Sequence, residues 1–219
     1  MKIKWLGHSS FMITSDAGIK IITDPYEPAF VAGGGPSYSE IKESADIVTV
    51  SHNHTDHNNV ATVQGNPTVV RRVTTAEIKG IEFNGIPCYH DEVGGNKRGD
   101  NTIFRFEVDG VRVCHLGDLG HQLSDKQVAE LGRIDILLIP VGGFYTIDAK
   151  VATEVCNQLK PKVIIPMHYK TDKCGFPVAG VDEFLRGKEG VSRLDASEVE
   201  FKPGELPAST QIIVLKSAL

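Results

Sequence analysis

The chain has 219 residues, enough for one sizeable domain with a substantial core or for two small ones at most. A hydrophobic share of 41% with 23% charged residues is ordinary globular composition and excludes a disordered chain. A net charge of −5 argues against a broad grip on a phosphate backbone, and the one basic run, "VVRRV" at 69–73, reads as a solvated strand end.

In chain order, "KIKWLG" (2–7), "SFMITS" (10–15) and "IKIITD" (19–24) predict a β-meander with "DAG" as the turn between the last two. The prolines and glycines of "PYEPAFVAGGGPSYS" (25–39) mark a long irregular loop, either a plain surface loop or a flap over a site. "ADIVTV" (45–50) is a continuous apolar strand of the kind buried on both faces. Strands follow at 67–70, 81–90, 101–118 and 135–143, the third broken into a hairpin at Asp109-Gly110. Helices are expected at 124–131, capped by Ser124, and at 148–159, where Val151, Val155 and Leu159 share a face. "PKVIIPMH" (161–168) returns as a strand, 181–188 is a short helix, and "TQIIVLK" (210–216) closes the chain. The pattern is α/β without a dividing linker, so a single domain over 1–219 is expected.

The N-terminal segment alternates like a strand and lacks the features of a signal peptide, and no apolar run approaches the ~20 residues that span a bilayer. Cys88, Cys114, Cys156 and Cys174 form no C-x-x-C pair, which suits reduced thiols. These features lead to the expectation of a cytoplasmic protein with no membrane or nucleic-acid partner.

Three of the eight histidines fall within "SHNHTDHNN" (51–59), directly after the apolar "DIVTV". Imidazole and carboxylate are the usual protein ligands of zinc and related ions. On extended backbone His52 and His54 project to the same side and can share one ion. Asp56 and His57 follow where the chain is expected to enter a helix near Asn58, which would aim His57 toward a second ion. Further ligands must come from elsewhere. His90 after "GIPCY", Asp118 in "VCHLGD" and His168 in "VIIPMH" each end an apolar strand, and they supply a histidine for each ion and a carboxylate able to bridge them.

"SHNHTDHNN" with "YHDEVGG", "HLGDLG" and "IPMHYK" resembles the metallo-β-lactamase superfamily, and "LGHSSFMI…GIKIITDP" is similar to its first strands. The resemblance covers essentially the whole chain. It implies a four-layer αββα sandwich, α/β in class, with a metal site at one edge. It assigns His52, His54 and His90 to a first ion and Asp56, His57 and His168 to a second, with Asp118 bridging. Asp24 would orient the motif loop by hydrogen bonds without binding metal.

Several branches fit poorly. The β-lactamases themselves are secreted and usually lack this complete motif. The di-iron oxidoreductases tend to carry Glu where this chain has His54, the tRNA-processing nucleases carry an RNA-gripping arm, and glyoxalase II adds a helical domain. "GGNKRGDNTIF" is similar to compact hydrolases related to the ascorbate-6-phosphate lactonases.

The expected chemistry is hydrolytic. Two divalent ions, zinc by preference and manganese, nickel or iron as alternatives, would activate a bridging hydroxide for attack on a lactone or phosphodiester of a small anionic molecule. Asp56 and Asp118 would be the catalytic carboxylates. His8, Arg98, His121 and Lys170 are candidates for substrate contact, with Lys97 and Tyr169 beside them. The competing readings are a metal-binding scaffold or sensor that does not turn over, and a di-iron oxidoreductase.

Overall fold

The computed structural model describes residues 1–28, 35–72 and 75–219. The reading of 25–39 as a loop or flap therefore falls partly outside the described residues, as does the end of "VVRRV". β1 (Lys2–Gly7), β2 (Ser10–Thr14) and β3 (Lys20–Thr23) form the expected antiparallel meander. β4 (Ile47–Val50) and β5 (Thr68–Arg71) then add in parallel to β3. β6 (Thr75–Ile78), β7 (Ile81–Tyr89), β8 (Asp100–Val108) and β9 (Val111–His115) build an antiparallel half of the second sheet. Asp109 and Gly110 both take positive φ (51° and 75°), the backbone that a two-residue hairpin turn demands.

After β9 come α1 (Asp125–Leu131), β10 (Ile136–Pro140), α2 (Ala149–Leu159), β11 (Val163–Met167) and α3 (Val181–Leu185). The short strands β12 (Val191–Arg193) and β13 (Glu198–Glu200) and then β14 (Gln211–Val214) complete the chain. Ser124 caps α1 in a capping box with Gln127, and the Asp148 side chain caps α2. β9, β10 and β11 are neighbouring parallel strands, so α1 and α2 are successive crossovers in one direction across the sheet. Right-handed crossovers of that kind lie on the same face.

The first sheet runs β13-β1-β2-β3-β4-β5 and the second β12-β14-β11-β10-β9-β8-β7-β6. One continuous core joins them: Ile3, Trp5, Phe11, Ile13, Ile21 and Ile47 of the first pack with Phe83, Phe104, Phe106 and Val113 of the second. Ile22, Val48 and Val50 face the other way, into a separate apolar cluster with Leu6, Tyr26, Tyr38 and Ile41. β3 and β4 are thus buried on both faces, as an unbroken apolar run requires. The architecture is the α/β sandwich of the metallo-β-lactamase fold. Over β4, however, the cover is loop and a 3₁₀ turn at Val60–Thr62 where a helix from Asn58 was expected. Asn59 is held there by its backbone N–H on the Pro25 carbonyl (2.7 Å) and its side chain on Tyr26 O (3.3 Å), which ties the segment down before a helix can start. No helix among the described residues is long and apolar enough to cross a membrane.

Candidate metal centre

Five strands end at one place, and each delivers a polar side chain there. β3 runs into Asp24, β4 into Ser51 and the histidine motif, β7 into His90, β9 into Asp118, and β11 into His168. The carboxyl ends of strands are where α/β sheets place their chemistry. The backbone is tight at this edge. His8, Asp24 and His168 all sit at positive φ (51°, 39° and 50°), conformations that non-glycine residues adopt mainly where the surroundings impose them. Gly117, also at positive φ, lies so close to the motif strand that a Cβ would stand 2.5 Å from Ser51 Cβ and 2.4 Å from Asn101 Oδ1. Only glycine lets these two strand ends approach.

Asp24 is the organiser. Its fully buried carboxylate accepts the Ser51 N–H (2.8 Å), the Ser51 hydroxyl and the Nδ1–H of His57 (2.9 Å). A serine hydroxyl has one proton to give, and it goes to Asp24. Ser51 Oγ must therefore accept the Nδ1–H of His52, 2.9 Å away. Both rings are thereby fixed in the tautomer whose Nε2 carries a lone pair.

Those lone pairs point at Asp118. His57 Nε2 lies 3.2 Å from Asp118 Oδ2, His90 Nε2 3.2 Å, His168 Nε2 3.3 Å and His52 Nε2 3.9 Å. His54 Nδ1 is 3.0 Å from His52 Nε2. Among the described residues, His57 Nε2 and Asp118 Oδ1 have no hydrogen-bond partner although both are buried. An imidazole lone pair facing a carboxylate oxygen across 3.2 Å is repulsive unless a cation is shared between them. The donor set thus fits divalent metal, on the orientation of its own atoms.

The electrostatics agree. Burial and the neighbouring His57 push His52 down to about 3, which keeps it neutral, the state metal binding would require. Burial works against charge on Asp118, but His168 and His57 outweigh it and hold the carboxyl well below its usual range. Burial likewise disfavours a charged His57, yet Asp118 and Asp56 push its pKa well above the ordinary value, a measure of how strongly this site attracts positive charge.

Donor atoms of His52, His54 and His90 lie within 4.8 Å of one another, and so do those of Asp56, His57 and His168 with His8. The structure therefore brings together all seven expected ligands and adds His8 beside them. His8 Nε2 is 3.1 Å from Asp56 Oδ2, and its ring centroid is 4.2 Å from that of His168. Arg98 lines a cavity of about 260 Å³ that the cluster also borders, together with Tyr145 and Phe176. His121 and Lys170 do not line that cavity. His121 accepts the Tyr89 N–H at Nε2 (3.1 Å) and donates from Nδ1 to Gln122 O (2.8 Å), while Lys170 Nζ is taken by Phe176 O (3.0 Å). Tyr169 is buried against Trp5. His115 is packed, with Nε2 on Ser9 O at 2.8 Å, and the four cysteines are buried free thiols.

Four residues escape the sequence reading. Asn101 accepts the Asp118 N–H at Oδ1 (3.1 Å) and donates to Leu116 O (2.9 Å), holding the turn that presents Asp118. Asp91 accepts four backbone N–H groups, from Val93, Gly95, Lys97 and Arg98, at 2.8–2.9 Å. Tyr145 and Phe176 supply an apolar wall. Only Asp91 left a signal, an acid directly after the ligand candidate His90 and shortly before the amide-rich "VGGNKRG".

With this geometry in hand, the chain is seen to belong to the metallo-β-lactamase superfamily: residues 2–168 match the β-lactamase superfamily domain family. A UPF0173 metal-dependent hydrolase of Archaeoglobus fulgidus is 32% identical, the match covering 94% of this chain and 97% of that one. A solved structure from Thermotoga maritima, described as a candidate Zn-dependent hydrolase of the superfamily, is 39% identical with a TM-score of 0.80, covering 98% of this chain and 97% of its own. The di-iron β-hydroxylase CmlA of Streptomyces venezuelae shares the fold alone, at 15% identity and a TM-score of 0.53 over 76% of this chain and 44% of its own.

Proposed function

We propose that the chain is a binuclear metal-dependent hydrolase acting on an ester-like bond, a lactone or a phosphodiester, in a small anionic molecule. The observation that carries this reading is the convergence of four imidazole nitrogens on one oxygen of Asp118. A single-ion structural site needs four donors; here seven candidate side chains, Asp118 among them, share one place. His52, His54 and His90 would hold one ion, Asp56, His57 and His168 the other, with Asp118 between. Two divalent ions so held supply Lewis acidity and bring the pKa of water toward neutrality.

The chain's own residues do the rest. Asp24 keeps His52 and His57 in the liganding tautomer. His8 donates to Asp56 Oδ2 and fixes the direction of that carboxylate, whose pKa stays well below its usual range because His57 and His8 outweigh its burial. Asp56 is partly open to the cavity and can orient an attacking water and accept its hydrogen bond. Arg98 reaches the same cavity with a charge suited to an anionic group or to charge developing on the substrate. Phe176 and Tyr145 give the cavity an apolar wall. The relatives' description as metal-dependent hydrolases supports this reading. His54 supports it over di-iron oxidation.

The test is metal analysis of the purified chain, paired with turnover of a lactone, thioester and phosphodiester panel with and without a chelator. Metal uptake near two equivalents with chelator-sensitive turnover is expected. Metal uptake without turnover of any of the three classes would favour the silent scaffold.

A further inference from the structure

Phe144 is the most exposed large apolar side chain among the described residues, at 62%, and its backbone takes a positive φ of 63°. That conformation is strained for a bulky residue, and a ring left in water gains nothing from burial to offset the strain. Glycine at 144 would remove both costs. The ring therefore lowers the stability of the free chain, and any gain comes from a group that covers it.

The Phe144 ring meets the Tyr145 ring edge-on at a centroid separation of 4.8 Å, and Tyr145 meets Phe176 at 5.2 Å. Phe176 in turn stacks on His168 at 6.4 Å and reaches His8 at 5.9 Å. A file of three aromatic rings thus leads from solvent to a metal-ligand candidate. Tyr145 and Phe176 line the cavity beside Asp56 and Asp118. With Cys174 and Val178 they form an apolar cluster of their own, separate from the two larger ones, so the file is not an outcrop of either core.

The segment between β10 and α2 that carries Phe144 and Tyr145 is fastened to the site at both ends. The Gly142 carbonyl accepts the Ala179 N–H (2.8 Å), and a Cβ on Gly142 would stand 2.3 Å from the His168 carbonyl oxygen. The Ile147 N–H donates to Leu119 O (2.9 Å), next to Asp118. Arg98 holds the tip, its Nη2 donating to Phe144 O (3.0 Å) and its guanidinium 5.7 Å from the Tyr145 ring centroid. Rings placed in this way lose little further freedom when a ligand covers them.

The cavity, at about 260 Å³, is smaller than the roughly 300–1,000 Å³ of pockets that enclose a drug-sized ligand. A substrate longer than the cavity projects past Tyr145 onto Phe144. A second copy of the chain fits less well, because one ring falls far short of the ~800 Å² per partner that a stable interface buries.

We propose that Phe144, Tyr145 and Phe176 form an apolar recognition subsite: the substrate carries an alkyl or aryl group beside the bond that is broken, and that group lies along the three rings with Phe144 as the outermost contact. Binding of the apolar group stands on the rings alone, while its link to bond cleavage rests on the hydrolase reading above.

The experiment is calorimetric titration of the full chain, metal-free and metal-loaded, with straight-chain carboxylates from acetate to hexanoate and with phenylacetate. Turnover of the matching p-nitrophenyl esters is followed on the same preparations. Wild type is compared with F144G, F144L and a control, V69A, which trims an exposed apolar side chain of β5 outside the cavity. In wild type the Kd should fall by about two- to fourfold for each added methylene, and phenylacetate should bind more tightly than acetate. F144G should flatten the series while binding acetate as before, F144L should recover part of it, and V69A should match wild type. Among the esters the difference should appear in KM rather than kcat. Metal content and melting temperature of F144G should stay close to wild type, since glycine relieves the positive φ. Selectivity lost only together with metal or fold would overturn the subsite. A wild-type Kd that does not change with chain length, or an F144G series as steep as wild type, overturns it as well. So does a wild-type dimer in analytical ultracentrifugation that F144G dissociates, which would make the ring an interface between copies. Esters turned over with one kcat/KM whatever their chain length would remove the subsite and leave the hydrolase reading. Chain-length-dependent binding without turnover of any ester would do the reverse.

Discussion

The carboxylate of Asp91 accepts the backbone N–H of Arg98 at 2.8 Å, closing a loop over residues 91–98 that begins at the neighbour of a metal-ligand candidate, His90. Three further N–H groups converge on the same carboxylate, and although burial works against its charge they hold its pKa below the usual range. Replacing it by alanine leaves four amides without their common acceptor. Asp91→Ala should therefore loosen the loop and raise KM roughly tenfold for an anionic substrate, with kcat and metal content less affected. Steady-state kinetics with metal analysis check this. A KM equal to wild type would mean that Asp91 does not set the position of Arg98.

A second prediction concerns the tautomers. Asp24→Asn retains a residue that tolerates positive φ, so the backbone at 24 is not strained. The amide, however, offers a donor where the carboxylate only accepted, and His57 Nδ1 or Ser51 Oγ loses its acceptor. Metal affinity should fall by about 10- to 100-fold, the usual size for removing a carboxylate behind a liganding histidine. Competition with a chromophoric chelator measures it. An unchanged affinity would contradict the wiring from Asp24 through Ser51 to His52.

The third prediction is a pH dependence of the metal-free chain. Burial pushes His8 down to about 4 and His52 to about 3, whereas both titrate near 6.5 when unfolded. Below pH 6.5 the unfolded chain binds more protons at these two positions, so their contribution to stability is lost as pH falls toward 4. His57 has the opposite sign: its pKa is raised, so its contribution is complete below 6.5 and is lost only as pH rises through the raised value. His54 and His115 are shifted downward as well, so four groups against one should lower the melting temperature by about 5–10 °C between pH 7 and pH 4.5. Melting curves of chelator-treated protein test this, and a higher melting temperature at pH 4.5 would contradict it.

What could be read from the sequence, and what could not, follows from where each interaction lives. The ligand candidates were legible because each is a polar residue that ends an apolar strand, a local signal at Val50–His52, Tyr89–His90 and Met167–His168. The hairpin at Asp109-Gly110 and the Ser124 cap are local too, and the structure has them. Asn101 is invisible to such reading because its partners Leu116 and Asp118 are 15 and 17 residues away. The short strands β12 and β13, "VSR" and "EVE", are three residues each, too short for a periodic signal, and exist through pairing with β14 and β1. The 3₁₀ turn at Val60–Thr62 replaced a helix because Pro25 and Tyr26, far back in the chain, hold Asn59.

The central proposal is that Asp118 would serve both ions of a two-ion site. Asp118→Asn keeps shape and volume but removes the negative charge on which four imidazole nitrogens converge, and an amide bridges poorly. Asp118 stands after the end of β9, outside the packed strands, so the fold should survive. The direct measurement is metal equivalents bound per chain, with turnover of the same preparation, for wild type and D118N. The account predicts that wild type binds close to two equivalents, that D118N loses at least one, and that kcat falls by about 10²-fold or more. A D118N chain that keeps both ions and full turnover would contradict it.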